Sequence, residues 1–155
     1  MINRLNVRVY GLLINELNEI LLVDEQIDDF KFTKFPGGGL ELGEGTTDCL
    51  KREFMEECNL AIHVEAHFYT TDFFQQSAFR LTDQLISIYY KVEPIHFPVE
   101  INLEPFTVQV YGKTETLHFK WVNLSNLKPE ELTFPIDKLV CEMILQQNGL
   151  TKLIY

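Results

Sequence analysis

The sequence predicts an α+β fold, with a mixed β-sheet sandwiched between helices in an α/β/α arrangement. Three observations predict it. Most apolar segments are short and rich in β-branched and aromatic residues, and QLISIYYKV at Gln84 to Val92 is the clearest of them. A helical pattern occurs once mid-chain and once near the end. No repeat, low-complexity stretch or break in composition divides residues 1–155, which read as one domain.

The elements follow in order. Asn6 to Ile14, NVRVYGLLI, has strand composition, and ILLV at Ile20 to Val23 follows the turn-like Glu16-Leu17-Asn18-Glu19, so the two read as a hairpin. Phe32 to Phe35 is a further short strand, ended by Pro36 and a glycine run. A helix then runs from about Thr46, whose hydroxyl is a suitable N-cap, to the Cys58–Asn59 region. AIHVEAHFYTTDFF from Ala61 to Phe74 is strand-like, and Gln84 to Val92 is a strand. Residues 93–106 hold three prolines and read as a loop. Thr107 to Tyr111 and Leu117 to Val122 are strands around a turn at Gly112-Lys113. A last helix is expected from Pro135 to Gln147, with proline at its start and Gly149 beyond its end.

The totals exclude several function classes. The formal charge is 13 − 23 = −10, which repels DNA and anionic membranes and argues against general nucleic-acid binding. A phosphate-bearing ligand would need local screening. No apolar run reaches a membrane span. The N-terminal MINRLNVRVYGLLINELNEI alternates and carries charge through its apolar part, unlike a secretory signal. Cys49, Cys58 and Cys141 are too few for a disulfide framework, which suggests a reduced, cytoplasmic protein with cysteines as small core or surface residues.

The mid-chain helix poses an electrostatic question. With Glu53 as zero on a helical wheel, Glu56 lies near about −60° and Glu57 near about +40°, while Leu50, Phe54, Cys58 and Met55 span roughly 60° to 200°. One face is therefore core, and the adjacent face is carboxylate. Each close pair, Glu53–Glu56 and Glu53–Glu57, costs roughly 0.2–0.5 kcal/mol. The C-terminal location adds about 0.3–1 kcal/mol per charge. A solvated acidic face is one explanation. The other is a divalent cation such as Mg²⁺, which takes oxygen ligands and turns the repulsion into joint attraction. Just upstream, Gly37, Gly38, Gly39, Gly43 and Gly45 are five of the chain's eight glycines, and glycine lets a backbone approach a ligand or metal closely.

These residues share one spacing: Gly38, five residues, Glu44, seven residues, Arg52-Glu53-Phe54-Met55-Glu56-Glu57, one residue, Asn59-Leu60. The pattern resembles the Nudix box, G-x5-E-x7-R-E-U-x-E-E-x-G-U with U apolar, and departs from it only at Asn59, where the family has glycine. Asparagine is the usual second choice for the left-handed turn needed there. The PGG before the box and the WVNLSNL segment leading into the last helix are also similar to this family. The resemblance implies the Nudix fold and hydrolysis of a diphosphate linkage in a nucleoside diphosphate joined to another moiety. It implies Glu53, Glu56 and Glu57 as metal ligands, with Glu53 and Glu57 the direct ones and the Gly38 carbonyl as a further ligand. The metal would be Mg²⁺, with Mn²⁺ the alternative ion. Glu44 and Arg52 would brace the loop through an ion pair. The general base would be a box glutamate or an acid from the 93–106 loop, where Glu100 is preferred to Glu104.

Substrate-binding residues are not assigned. The region past the box, DFFQQSAFRL, lacks the downstream markers of the ADP-ribose, dinucleoside polyphosphate and coenzyme A subfamilies. Phe73, Phe74 and Phe79 are read as core, with base stacking as the alternative. His63, His67, His96 and His118 have no metal-ligand spacing. Three function classes follow: a pyrophosphohydrolase acting on a small nucleotide, a non-catalytic nucleotide-binding or sensor module, and an isoprenoid diphosphate isomerase. The isomerase would need a cysteine ahead of the glycine loop, and there is none. A homodimer is common among relatives.

Overall fold

The computed structural model describes residues 1–150. Its eight strands and two α-helices form two compact units. The α+β class is the one the sequence predicts.

The first unit combines Met1–Leu13 with Pro36–Ile101. Its strands are β1 (Arg4–Leu13), β4 (Gly37–Gly39), β5 (Ile62–Thr70) and β6 (Asp83–Pro94). They form a mixed sheet in the order β4-β1-β6-β5, with β1 parallel to β6 and antiparallel to β4. The connection that returns β6 parallel to β1 contains helix α1 (Thr46–Cys58). A parallel pair needs such a crossover. The helix buries Cys49, Leu50, Phe54 and Cys58. Gly11 marks how closely it packs, since a Cβ there would fall 2.6 Å from the Phe54 ring. Met55, expected on the core face, is 46% exposed instead. It sits at the far edge of that arc, about 200° from Glu53, where the core no longer reaches.

The second unit holds Ile14–Phe35 and the residues from Asn102 on. It contains β2 (Glu19–Ile27), β3 (Phe30–Lys34), β7 (Phe106–Val110) and β8 (Lys113–Asn123), in the order β3-β2-β8-β7 and all antiparallel. Helix α2 (Pro135–Gln147) lies where the proline and Gly149 place it. Lys34 and Glu25 form a buried ion pair at 3.0 Å. They are neighbours on one face because Val23 pairs with Lys34 and Glu25 with Phe32.

Some expectations differ from the structure. The expected hairpin does not form, because β1 and β2 join different sheets and only the bridge Ile14–Ile20 survives. The turn itself is present: Asn15 Oδ1 accepts the Leu17 and Glu19 N–H groups, and Asn18 has φ 57°. The β7–β8 turn is Tyr111-Gly112 rather than Gly112-Lys113, with φ 48° and 78°, as the favoured two-residue hairpin turn requires. Phe73, Phe74 and Phe79 are 40%, 61% and 55% exposed, so the core reading fails. They follow the end of β5 at Thr70, where no pleat forces alternate side chains inward. Cys49, Cys58 and Cys141 are free and buried. Among the described residues no helix is long and apolar enough to cross a membrane.

Candidate active site

The site grows from the β4–α1 segment. Gly45, not Thr46, is the N-cap of α1. Its N–H donates to Asp48 Oδ2 at 3.3 Å, and an acid in the first turn also suits the helix dipole. The Thr46 hydroxyl instead lies 2.7 Å from the Tyr90 hydroxyl on β6. At the other end Asn59 has φ 49° and ψ 38°, the left-handed conformation the sequence requires. Its N–H donates to the Met55 carbonyl at 3.1 Å, and the Leu60 N–H reaches the Phe54 carbonyl at 3.3 Å.

Arg52 organises the loop. Its Nε and Nη2 donate to the two oxygens of Glu44 at 3.0 and 2.7 Å, and Nη2 also donates to the Gly39 carbonyl at 3.1 Å. Nη1 donates to Glu53 Oε1 at 3.0 Å and to Glu56 Oε2 at 3.3 Å. Glu44 Oε1 further accepts the Glu41 N–H at 2.8 Å. The Arg52 hydrogen bonds, followed by the Glu41 N–H, hold the Glu44 carboxyl down at about 2, well below its usual 4.5. The same contacts push the Arg52 guanidinium above its ordinary value. Burial pushes the adjacent Cys49 thiol up to about 12, so it stays neutral.

Glu53 lies against backbone. A Cβ at Gly38 would fall inside the Glu53 carboxylate, so only glycine permits this contact. The Glu53 side chain is 12% exposed, whereas that of Glu56 is 57% exposed. Glu57 has interactions of its own, and its Oε2 atom is buried and accepts no hydrogen bond. Among the described residues no group of three or more His, Cys, Asp or Glu side chains is gathered as a ready-made metal site. Glu56 turns toward solvent and Arg52, and Arg52 also takes an oxygen of Glu53. The oxygen donors available are still of the kind Mg²⁺ takes. The Gly38 gap keeps Glu53 against the glycine backbone, so these residues fit the ion in chemistry.

Glu100 is exposed on the wall of a cleft of about 430 Å³ with Met55, Asn59, Leu60, Ala61, His96 and Pro98. Met55 lies about 200° around α1 from Glu53, nearly the opposite side, so this cleft flanks the end of the helix rather than the Glu53 side. Glu104 belongs to the second unit and is exposed. Of the histidines, His67 Nε2 pairs with Thr70 Oγ1 at 2.7 Å, and its ring meets Tyr90 edge-on. Sequence reasoning missed Arg8, whose Nε donates to the Tyr10 hydroxyl at 2.7 Å. The signal was the alternation of NVRVY, which puts residues 8 and 10 on one face.

The MutT protein from Methanosarcina mazei Go1 superposes with a TM-score of 0.70 at 18% identity, over 96% of this chain and 98% of that one. The E. coli ORF135 protein gives a TM-score of 0.67 at 16% identity, over 96% of both chains. A MutT NUDIX hydrolase from Burkholderia pseudomallei gives 0.67 at 16% identity, over 92% of this chain and 99% of that one. Identities this low establish the fold. Among curated proteins none matches the chain. The NUDIX domain model matches residues 4–143, spanning both units and nearly the whole chain. With the Gly38-to-Leu60 spacing folded into a glycine strand clamped to an acidic helix, the chain belongs to the NUDIX domain family.

Proposed function

We propose that this chain is a metal-dependent pyrophosphohydrolase that cleaves the diphosphate linkage of a small nucleoside diphosphate derivative. The observation that carries the reading is the Glu53 carboxylate seated where a Gly38 side chain would be. That contact sets a carboxylate against a bare glycine backbone, so side-chain and main-chain oxygens of the kind Mg²⁺ takes lie side by side.

Glu53 and Glu57 would hold Mg²⁺ or Mn²⁺, with the Gly38 carbonyl and Glu56 completing the oxygen set. When bound, the ion screens the phosphoryl oxygens and lowers the pKa of water. The chain's own residues do the rest. Arg52 and Glu44 lock the glycine strand to α1, so the Glu53 carboxylate keeps its position. The proton that water gives up as it adds to one phosphorus would pass to a box glutamate, because Glu100, the acid preferred from the sequence, lines a cleft away from the Glu53 side of α1. The P–O bond to the bridging oxygen breaks, releasing a nucleoside monophosphate and the phosphorylated remainder. Residues 1–155 act as one domain, in a reduced cytoplasmic setting and free of nucleic acid and membrane, with a homodimer the assembly to test by sedimentation.

Arg52 occupying oxygens of Glu53 and Glu56 favours a second reading, a nucleotide-binding module without turnover. A panel of nucleoside diphosphate derivatives with Mg²⁺, read by released monophosphate, separates the two. At least one compound is expected to turn over. Glu57→Gln is expected to lose at least about a hundredfold in kcat with an unchanged far-UV spectrum. Binding without turnover across the panel would establish the module instead. Full activity in Glu57→Gln would remove Glu57 from the site.

A further inference from the structure

We propose that Arg8 binds the phosphoryl oxygens of the substrate diphosphate from the face of β4 opposite Glu53. The inference rests on the hydrolase reading and adds a substrate-positioning residue outside the box.

The strand register sets the geometry. Gly11 faces α1, as its Phe54 contact requires, so alternation turns Val9 toward the helix and Arg8 and Tyr10 away from it. Gly38 pairs with Val9 and Gly39 with Arg8. Gly38 therefore faces α1, where Glu53 fills its side-chain space. Gly39 faces the other side, where the atom nearest its missing side chain is Arg8 Nη1 at 3.8 Å. One step along an edge strand, about 3.8 Å between Cα atoms, separates the glycine against the carboxylate from the glycine against the guanidinium. No side chain on β4 stands between them.

Arg8 is also oriented in advance. Its Nε donates to the Tyr10 hydroxyl, and its guanidinium carbon lies 5.8 Å from the Tyr10 ring centroid. Tyr10 is 5% exposed and stacks on Tyr89 at 5.2 Å, so this anchor is itself fixed. With Nε held by Tyr10, Nη1 lies 3.8 Å from the side-chain position of Gly39. A planar guanidinium matches phosphate oxygens in geometry and in charge. The other arginine at Gly39 does not compete for this task. Arg52 reaches the Gly39 carbonyl, and its remaining donors go to Glu44, Glu53 and Glu56. A diphosphate at the β4 edge would thus meet the Glu53 side through a cation and the Arg8 side directly.

The test measures binding of methylene diphosphonate, an uncleavable diphosphate, with Mg²⁺ present, by calorimetry on the full chain. The wild type binds. Arg8→Ala is expected to bind about ten- to a hundredfold more weakly, the range for a lost charged hydrogen bond. Added methylguanidinium restores part of that loss, which a purely structural role would not produce. If Arg8→Ala does not fold, Arg8→Gln serves in its place, with the same loss expected. On a substrate that turns over, the defect lies in KM with kcat nearly unchanged, since the contact exists before and during reaction. Affinity within twofold of wild type in a folded variant, or a loss that methylguanidinium leaves untouched in Arg8→Ala, overturns the role of Arg8 alone. A wild-type chain that binds no diphosphonate with Mg²⁺ overturns the hydrolase reading along with it.

Discussion

Arg52 sets the charge state of the loop around it. A guanidinium with a fixed fork can take both oxygens of Glu44 and still reach the Gly39 carbonyl, which a lysine could not do from one point charge. The consequence can be read in pH. Glu44 has its pKa lowered from 4.5 to about 2 in the folded chain, so its pairing stabilises the fold fully above the unfolded value. That contribution fades as pH falls below 4.5 and is gone once pH passes below about 2. Glu44→Gln is therefore expected to be less stable than wild type at pH 6, with the gap narrowing below 4.5 and closing near 2. Urea unfolding across that range measures it, and a gap that widens on acidification would mean that Arg52 does not hold the Glu44 charge. The spacing of the box, through its likeness to a known motif, pointed to this pair. The placement of Arg8 opposite Gly39 was not legible, because register between strands is not written in either strand alone.

Helix α1 ends in three acids and no base in its last turn, an arrangement that costs stability by the dipole and by mutual repulsion. Its C-terminus is nevertheless well closed, because Asn59 in the left-handed region lets its own N–H and that of Leu60 reach orphan carbonyls. Asn59→Gly removes the residual steric cost and is expected to gain roughly 0.5–1 kcal/mol, whereas Asn59→Ala is expected to lose roughly 1 kcal/mol. Equilibrium denaturation would show both, and a stabilised alanine variant would contradict the capping account. The end of α1 and the whole of α2 were legible because their signals are local: Asn59 after one helix, Pro135 and Gly149 around the other. The hairpin misreading has the complementary cause. Asn15 to Glu19 encode a turn and fix its hydrogen bonds, but nothing in those residues says that β1 will pair with β6, some eighty positions away, rather than with β2. Phe73, Phe74 and Phe79 misled in another way, since aromatic content was read as burial where the chain had already left the sheet.

For the whole molecule, the formal charge of −10 makes two effects of magnesium hard to tell apart. Any cation screens diffuse repulsion among 23 acidic residues and raises stability somewhat. A cation held at Glu53 and Glu57 does more, because it binds the folded chain and not the unfolded one. At a hundred times its dissociation constant it adds about 2.7 kcal/mol. For a chain of this length that corresponds to a rise in Tm on the order of 5–10 °C. Three melts separate the contributions: MgCl₂, NaCl at matched ionic strength, and MgCl₂ with Glu53→Gln. Screening alone predicts that the two salts act alike and that Glu53→Gln responds as the wild type does. Site binding predicts a saturable shift with MgCl₂, a much smaller one with NaCl, and loss of the difference in Glu53→Gln. The variant itself should not melt far below wild type without metal, because removing one of three neighbouring negative charges relieves repulsion while giving up the Arg52 contact. If both salts gave the same shift in wild type and variant, the acidic turn of α1 would be a solvated face, and its place after the glycine strand would need an explanation other than a cation.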